Sequence, residues 1–266
     1  AQTAGLGNIF SQKNNKGEEN ETMKKILALV LVLIMALGLA ACAAPAAPAE
    51  EPTPAAEPET EKVDSQAILA ELKTPAEESN WERTTSSQEV IDFLKVVAEH
   101  SAGRIILDTT TFATEAGTPI SYMIISDVAP ASPADVPEDK GVVYVNCNIH
   151  SGEIEGKESM MIFAREVAQG KHDDLLKDLV VIIVPNSNPD GNDNLGKNRI
   201  TTQFTPKLVG TRAEGNGLNV NRDMTKLETA CGRTIVKLMN DWNPILFIDA
   251  HATDGSYMRH AVTYNW

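Results

Sequence analysis

The stretch VVYVNCNIHSGE, Val142 to Glu153, decides how the chain is read. Its first half is a largely apolar, β-branched run of the kind found in strands buried on both faces. It leads directly into His150 and Glu153, a His-x-x-Glu pair. A second apolar run, ILFIDA (245–250), delivers His251, 98 residues after Glu153. On a tight turn after a strand, side chains three residues apart can converge on one point. Two imidazoles and one carboxylate, each presented at or just beyond a strand end, are the ligand set of a catalytic zinc site with one position left open. The place suits the purpose, because ligands of α/β sheets gather outside the carboxyl ends of the strands.

Working outward, LVVIIVP (179–185) is another continuous apolar run, and Glu155 to Gln169 has helical spacing closed by Gly170. Upstream, SSQE (86–89) is a capping-box pattern. Behind it Val90, Phe93, Leu94 and Val97 share one helical face, so a helix is predicted that stops before Gly103. RIILDTTTF (104–112) and PISYMIIS (119–126) predict two strands joined by a turn at 115–117. Downstream, a helix over roughly Lys226 to Met239 leads through Asn243-Pro244 into ILFIDA. This alternation predicts an α/β fold, a mixed and mostly buried β-sheet flanked by helices.

Net charge of −14 argues against a nucleic-acid partner, which calls for a basic patch. Three cysteines, Cys42, Cys147 and Cys231, are too few and too scattered for a disulfide framework. The first 62 residues do not read as fold. Met23 to Ala41 has two lysines, a short apolar run and small residues before Cys42, which is the pattern of a secretory signal. The apolar run is short of the ~20 residues that spanning a bilayer needs. Its ending, Leu39-Ala40-Ala41-Cys42, resembles the lipobox of bacterial lipoproteins. That resemblance implies cleavage before Cys42, a lipid on its sulfur, and export to the outer face of the bacterial cell membrane. Residues 1–22, ahead of a credible start methionine, read as translated upstream sequence. Residues 43–62, rich in proline, alanine and glutamate, read as an extended tether reaching roughly 60 Å from the membrane. The folded domain is then expected over 63–266.

His-x-x-Glu alone is a weak motif, and His251 alone would be an ordinary loop histidine. Two further segments, PNSNPDG (185–191) and GLNVNRD (217–223), change the reading. With them the chain resembles the M14 family of zinc carboxypeptidases: His-x-x-Glu after a strand, Asn-Pro-Asp-Gly after the next, a Gly-x-Asp-x-Asn-Arg element, and a histidine closing a strand. The resemblance covers about Thr85 to Trp266. It implies His150, Glu153 and His251 as Zn²⁺ ligands. It implies Asn221 and Arg222 as the pair that grips a substrate's C-terminal carboxylate, chemistry that suits a guanidinium fork. It implies Arg212 as the arginine that stabilises the oxyanion, with Arg199 as the alternative. Asn188-Pro189-Asp190-Gly191 reads as a structural turn.

Two departures qualify the resemblance. Where the family has an aspartate orienting a zinc-ligating histidine, this chain has Asn219. The family's general-base glutamate and closing tyrosine are expected beyond Trp266, so the domain is read as C-terminally truncated and this polypeptide alone as inactive. Substrates implied are peptides or the peptide portion of peptidoglycan, reached from a lipid anchor. The alternatives are a related zinc deacylase and a lipoprotein that binds zinc or peptide without turnover.

Overall fold

The computed structural model describes residues 64–200 and 203–252. The signal segment, Cys42 and the tether therefore lie outside the described residues. Three helices open the domain: α1 (Ser65–Glu71), α2 (Pro75–Glu78) and α3 (Ser87–Glu99). The capping box predicted from SSQE is formed, with the Ser86 hydroxyl accepting from Glu89 N and the Glu89 carboxylate accepting from Ser86 N. That reciprocal cap satisfies two otherwise orphaned donors and fixes where α3 begins.

The sheet follows. Strands β1 (Ile105–Asp108), β2 (Tyr122–Ile125), β3 (Gly141–Cys147), β4 (Leu179–Val184) and β7 (Leu246–Ala250) lie in the order β1-β2-β4-β3-β7. β1–β2 and β2–β4 pair antiparallel, whereas β4–β3 and β3–β7 are parallel. Helix α4 (Glu155–Ala168) crosses from β3 toward β4, with the short α5 (Asp173–Leu176) on the way. After β4 come α6 (Pro189–Asp193), the small β5 (Gly196–Lys197) and β6 (Leu208–Val209) ribbon, and α7 (Ala230–Trp242).

Alternation along β4 divides the core. Val181 and Ile183 join Val90, Phe93, Leu94 and Val97 of α3 and Met161, Ala164 and Val167 of α4 on one face. Val180, Ile182 and Val184 pack with Tyr144, Ile235, Leu238 and Trp242 on the other. Each fully buried aliphatic or aromatic side chain contributes roughly 1.5–3 kcal/mol, so both helical layers are held firmly to the sheet. Gly156 lets α4 come close: a Cβ there would stand 2.9 Å from Ala250 Cβ and 3.2 Å from Cys147 Cβ.

The observed elements differ from the sequence reading in three places. The hairpin strands are shorter than 104–112 and 119–126, because Asp108 turns back to bind Thr110 N and Thr111 N and ends the first. The last helix starts at Ala230 and not near Lys226, because Leu227 takes φ 58° and Thr229 caps the helix by accepting from Gly232 N. β7 stands at the sheet edge among the described residues, and Leu246 and Ile248 are exposed in a sheet expected to be mostly buried.

Candidate metal centre

The His150 turn is built by polar side chains from two neighbouring segments. Past Cys147 the chain swings through Asn148 at φ 62°, a left-handed conformation that asparagine tolerates better than most residues. The Asn148 amide donates to Asn186 Oδ1 at 2.8 Å and to Asn192 Oδ1 at 3.0 Å. Asn188 Nδ2 donates to the Ile149 carbonyl, and the Ser151 hydroxyl donates to the Asn188 carbonyl at 2.7 Å. Glu153 N donates to the His150 carbonyl at 2.9 Å and closes the turn. The Asn-Pro-Asp-Gly segment, read from sequence as a structural turn, is the capped start of the short helix α6, and Asn188 braces the His150 turn. Gly210 completes the packing, since a Cβ there would come within 2.7 Å of Ser151 Cβ.

His150 and Glu153 are buried by this scaffold, and β7 carries His251 to them. Parallel register pairs Asn146 with Asp249 and Cys147 with Ala250, so both strands end together. His150 Nδ1 lies 2.8 Å from Glu153 Oε1, and His251 Nδ1 lies 2.7 Å from Glu153 Oε2. The outer nitrogens are also engaged: His150 Nε2 lies 3.2 Å from Asn219 Oδ1, and His251 Nε2 lies 2.9 Å from Asp249 Oδ2. Burial raises the Glu153 carboxyl, but the two imidazoles more than offset it and bring its pKa down to about 2. Asp249, and after it Glu153, raise the His251 imidazole to about 9 against burial.

Three donor atoms, one from each side chain, lie within 4.8 Å of one another. A tetrahedral zinc ion with bonds near 2.1 Å holds its donors about 3.4 Å apart, so closing around one requires shifts of about an ångström. Two imidazole nitrogens with a carboxylate are a borderline-hard set that suits zinc and leaves a fourth position free. Anchoring each ring through its other nitrogen is how metal-binding histidines are usually oriented. The residues fit the ion.

A sequence profile for peptidase family M14, described as zinc carboxypeptidase, matches residues 105–243, just over half of the chain. The chain belongs to this family. Its fold is also similar to solved carboxypeptidases. A metallo-carboxypeptidase from Burkholderia cenocepacia is 20% identical, with a TM-score of 0.48, over 64% of this chain and 42% of its own. Carboxypeptidase A from Helicoverpa armigera is 16% identical, with a TM-score of 0.45, over 70% and 50%. A metallo-carboxypeptidase from Pseudomonas aeruginosa is 17% identical, with a TM-score of 0.44, over 60% and 39%. This chain therefore spans half or less of the length of these relatives. No curated protein matches it.

Within this member of the M14 family the remaining predicted residues fall into two groups. Arg212 reaches the metal centre, with Nη1 3.5 Å from Glu153 Oε1, and shares a cavity wall with Arg199. Asn221 and Arg222 sit on a 3-10 turn, Val220–Arg222, that Asn219 caps by accepting from Asn221 N at 3.0 Å. Arg222 is exposed and donates to the Asn221 carbonyl; no carboxylate pairs with it among the described residues. Cys147 and Cys231 are free, buried thiols whose ionisation burial opposes, so no bridge links them. Asp249 escaped the sequence reading. Its signal was its place two residues before His251 at a strand end, which puts the two side chains on the same face.

Proposed function

We propose that this chain carries the metal site of a zinc-dependent carboxypeptidase that removes residues from the free C-terminus of peptides. The observation that carries the reading is the convergence of both Nδ1 atoms on Glu153 while each outer nitrogen is held by its own partner. His150, Glu153 and His251 would hold the ion. When bound, zinc supplies a Lewis acid that polarises a scissile carbonyl and makes water a competent nucleophile near neutral pH.

The other steps belong to the chain. Glu153, held as a carboxylate by two imidazoles, needs no proton release to act as a ligand. Arg212, beside the metal centre, would donate to the oxygen on which negative charge develops. Arg222 with Asn221 would receive the terminal carboxylate through two parallel hydrogen bonds and so set the exopeptidase register. The general base would come from outside the described residues. The signal-like segment and Cys42 support an exported protein, lipid-anchored at the outer face of a bacterial membrane, with peptides or peptidoglycan peptides as substrates.

The test uses the full-length protein, purified without chelators. One bound zinc per chain, and cleavage of peptides with a free C-terminus but not of their C-terminal amides, is the expected result. Cleavage of N-acyl amino acids alone would replace the peptidase with a deacylase. Zinc without turnover on either would leave a binding lipoprotein, and absence of zinc would overturn the reading altogether.

A further inference from the structure

Beside the candidate metal centre lies a cavity of about 500 Å³, lined by His150 and Glu153, by Lys197 and Val209 of the β5–β6 ribbon, and by Arg199, Ile200 and Arg212. A volume in this range accepts a small ligand or several peptide residues. Its floor is partly apolar, with Ile200 and Val209. Its charged groups are one-sided. Lys197, Arg199 and Arg212 all line it, and the one carboxylate on its wall, Glu153, is committed to the two histidines. Lys197 and Arg199 form no ion pair among the described residues.

This concentration of cations runs against the whole chain, which has 37 acidic and 23 basic residues. A protein of net charge −14 repels anions at long range, but that repulsion is screened beyond about 8 Å in physiological salt. Inside a walled cleft the local cations dominate, because field lines are focused there and water is partly excluded. Arg222, assigned to the terminal carboxylate, is not part of this wall. A peptide carrying only its terminal charge therefore leaves Lys197 and Arg199 without a partner.

We infer that the cavity selects peptides bearing a second negative charge, an acidic side chain next to the scissile bond, with Lys197 and Arg199 as the residues that read it. The inference rests on the peptidase reading and deepens it by naming a substrate class. An acidic residue on either side of the scissile bond can place its carboxylate there, so both positions are tested.

The experiment compares N-acetyl-Ala-Ala-Glu-Ala with its Gln counterpart, and N-acetyl-Ala-Ala-Ala-Glu with its Gln counterpart, on the full-length enzyme. The wild type should favour Glu over Gln in kcat/KM by about tenfold in one of the two series, the size expected of two partly exposed ion pairs acting together. Raising salt should erode the preference. Lys197→Glu and Arg199→Glu should each lower the Glu/Gln ratio, and together bring it to one or below. Equal rates on Glu and Gln peptides in both series would overturn the inference while leaving the peptidase intact. So would a ratio that neither substitution moves.

Calorimetric binding of the same peptides to the zinc-free protein gives a readout without chemistry. Tighter binding of a Glu peptide, lost in the double variant, supports the cavity assignment even if no peptide is cleaved, in which case only the peptidase reading falls. Equal binding of Glu and Gln peptides refutes the assignment on its own.

Discussion

Replacing Asn219 by aspartate should tighten zinc binding. Asn219 Oδ1 lies 3.2 Å from Nε2 of the buried His150 and also accepts from Asn221 N at 3.0 Å. Aspartate keeps both acceptor contacts and adds a full negative charge. That charge would stand roughly 7 Å from a doubly charged ion on the far side of the ring. At an effective dielectric between 20 and 80 the attraction is about 1–5 kcal/mol. Substitutions among the partners of metal ligands typically change affinity ~10–100-fold, which lies within that range. The expected outcome for Asn219→Asp is therefore a zinc dissociation constant lower by about tenfold to a hundredfold at pH 7. Competition against a chromophoric chelator measures it, and the melting temperature of the zinc-free protein checks that the fold is unchanged. Unaltered or weaker zinc affinity in a normally folded variant would refute the claim that Asn219 orients a metal-binding histidine.

Two predictions concern stability. Lys157 is completely buried and donates to Thr84 Oγ1 and Asn192 Oδ1 beside Glu158, whose carboxylate accepts from Thr84, Thr85 N and Thr85 Oγ1. Lys157→Ala leaves that carboxylate without its cation, so unfolding in urea should show a loss of about 3–5 kcal/mol; a loss under 1 kcal/mol would show that the pair is dispensable. Glu89 is held at a pKa of about 2 chiefly by Arg83, against an ordinary value of 4.5. A depressed carboxylate stabilises fully above its unfolded pKa and loses that contribution as pH falls from about 4.5 to 2. Both side chains are over a third exposed, so after solvent screening about 1 kcal/mol is expected. Glu89→Gln should therefore lower the urea midpoint at pH 7 and have little effect at pH 2.

The parts of the molecule that were readable in advance are those where one physical requirement dominates a short segment. β4 is a run of β-branched residues because both of its faces are covered, whereas β3 alternates buried with half-buried residues, and α3 carries its own start signal in Ser86 and Glu89. The three side chains that converge, His150, Glu153 and His251, were legible because two of them share a turn and the third follows a recognisable strand. What escaped is what depends on contacts distant in sequence. Asp249 becomes the partner of His251 only through side-chain placement at a strand end. Lys157 is buried through Thr84, Thr85 and Asn192, partners far away in sequence that helical spacing does not report. The start of α7 moved because Asp223 holds Glu228 N and Thr229 N, a local tie that hydrophobic spacing does not report. Arg212 was preferred to Arg199 only through the family resemblance; the structure lines one cavity with both and brings Arg212 Nη1 3.5 Å from Glu153 Oε1.

The pairing of β7 beside β3 ties the candidate ligand set to the stability of the sheet. An ion shared by His150, Glu153 and His251 would act as a cross-link between residues 98 apart, Glu153 and His251, fastening β7 to the turn that follows β3. Binding that occurs only in the docked arrangement adds its own free energy to docking. Among the described residues β7 pairs with β3 alone, so docking of this strand and closure of the ligand set are one event. An ion held there would raise the melting temperature by an amount that grows with its free concentration, and a chelator would reverse the gain.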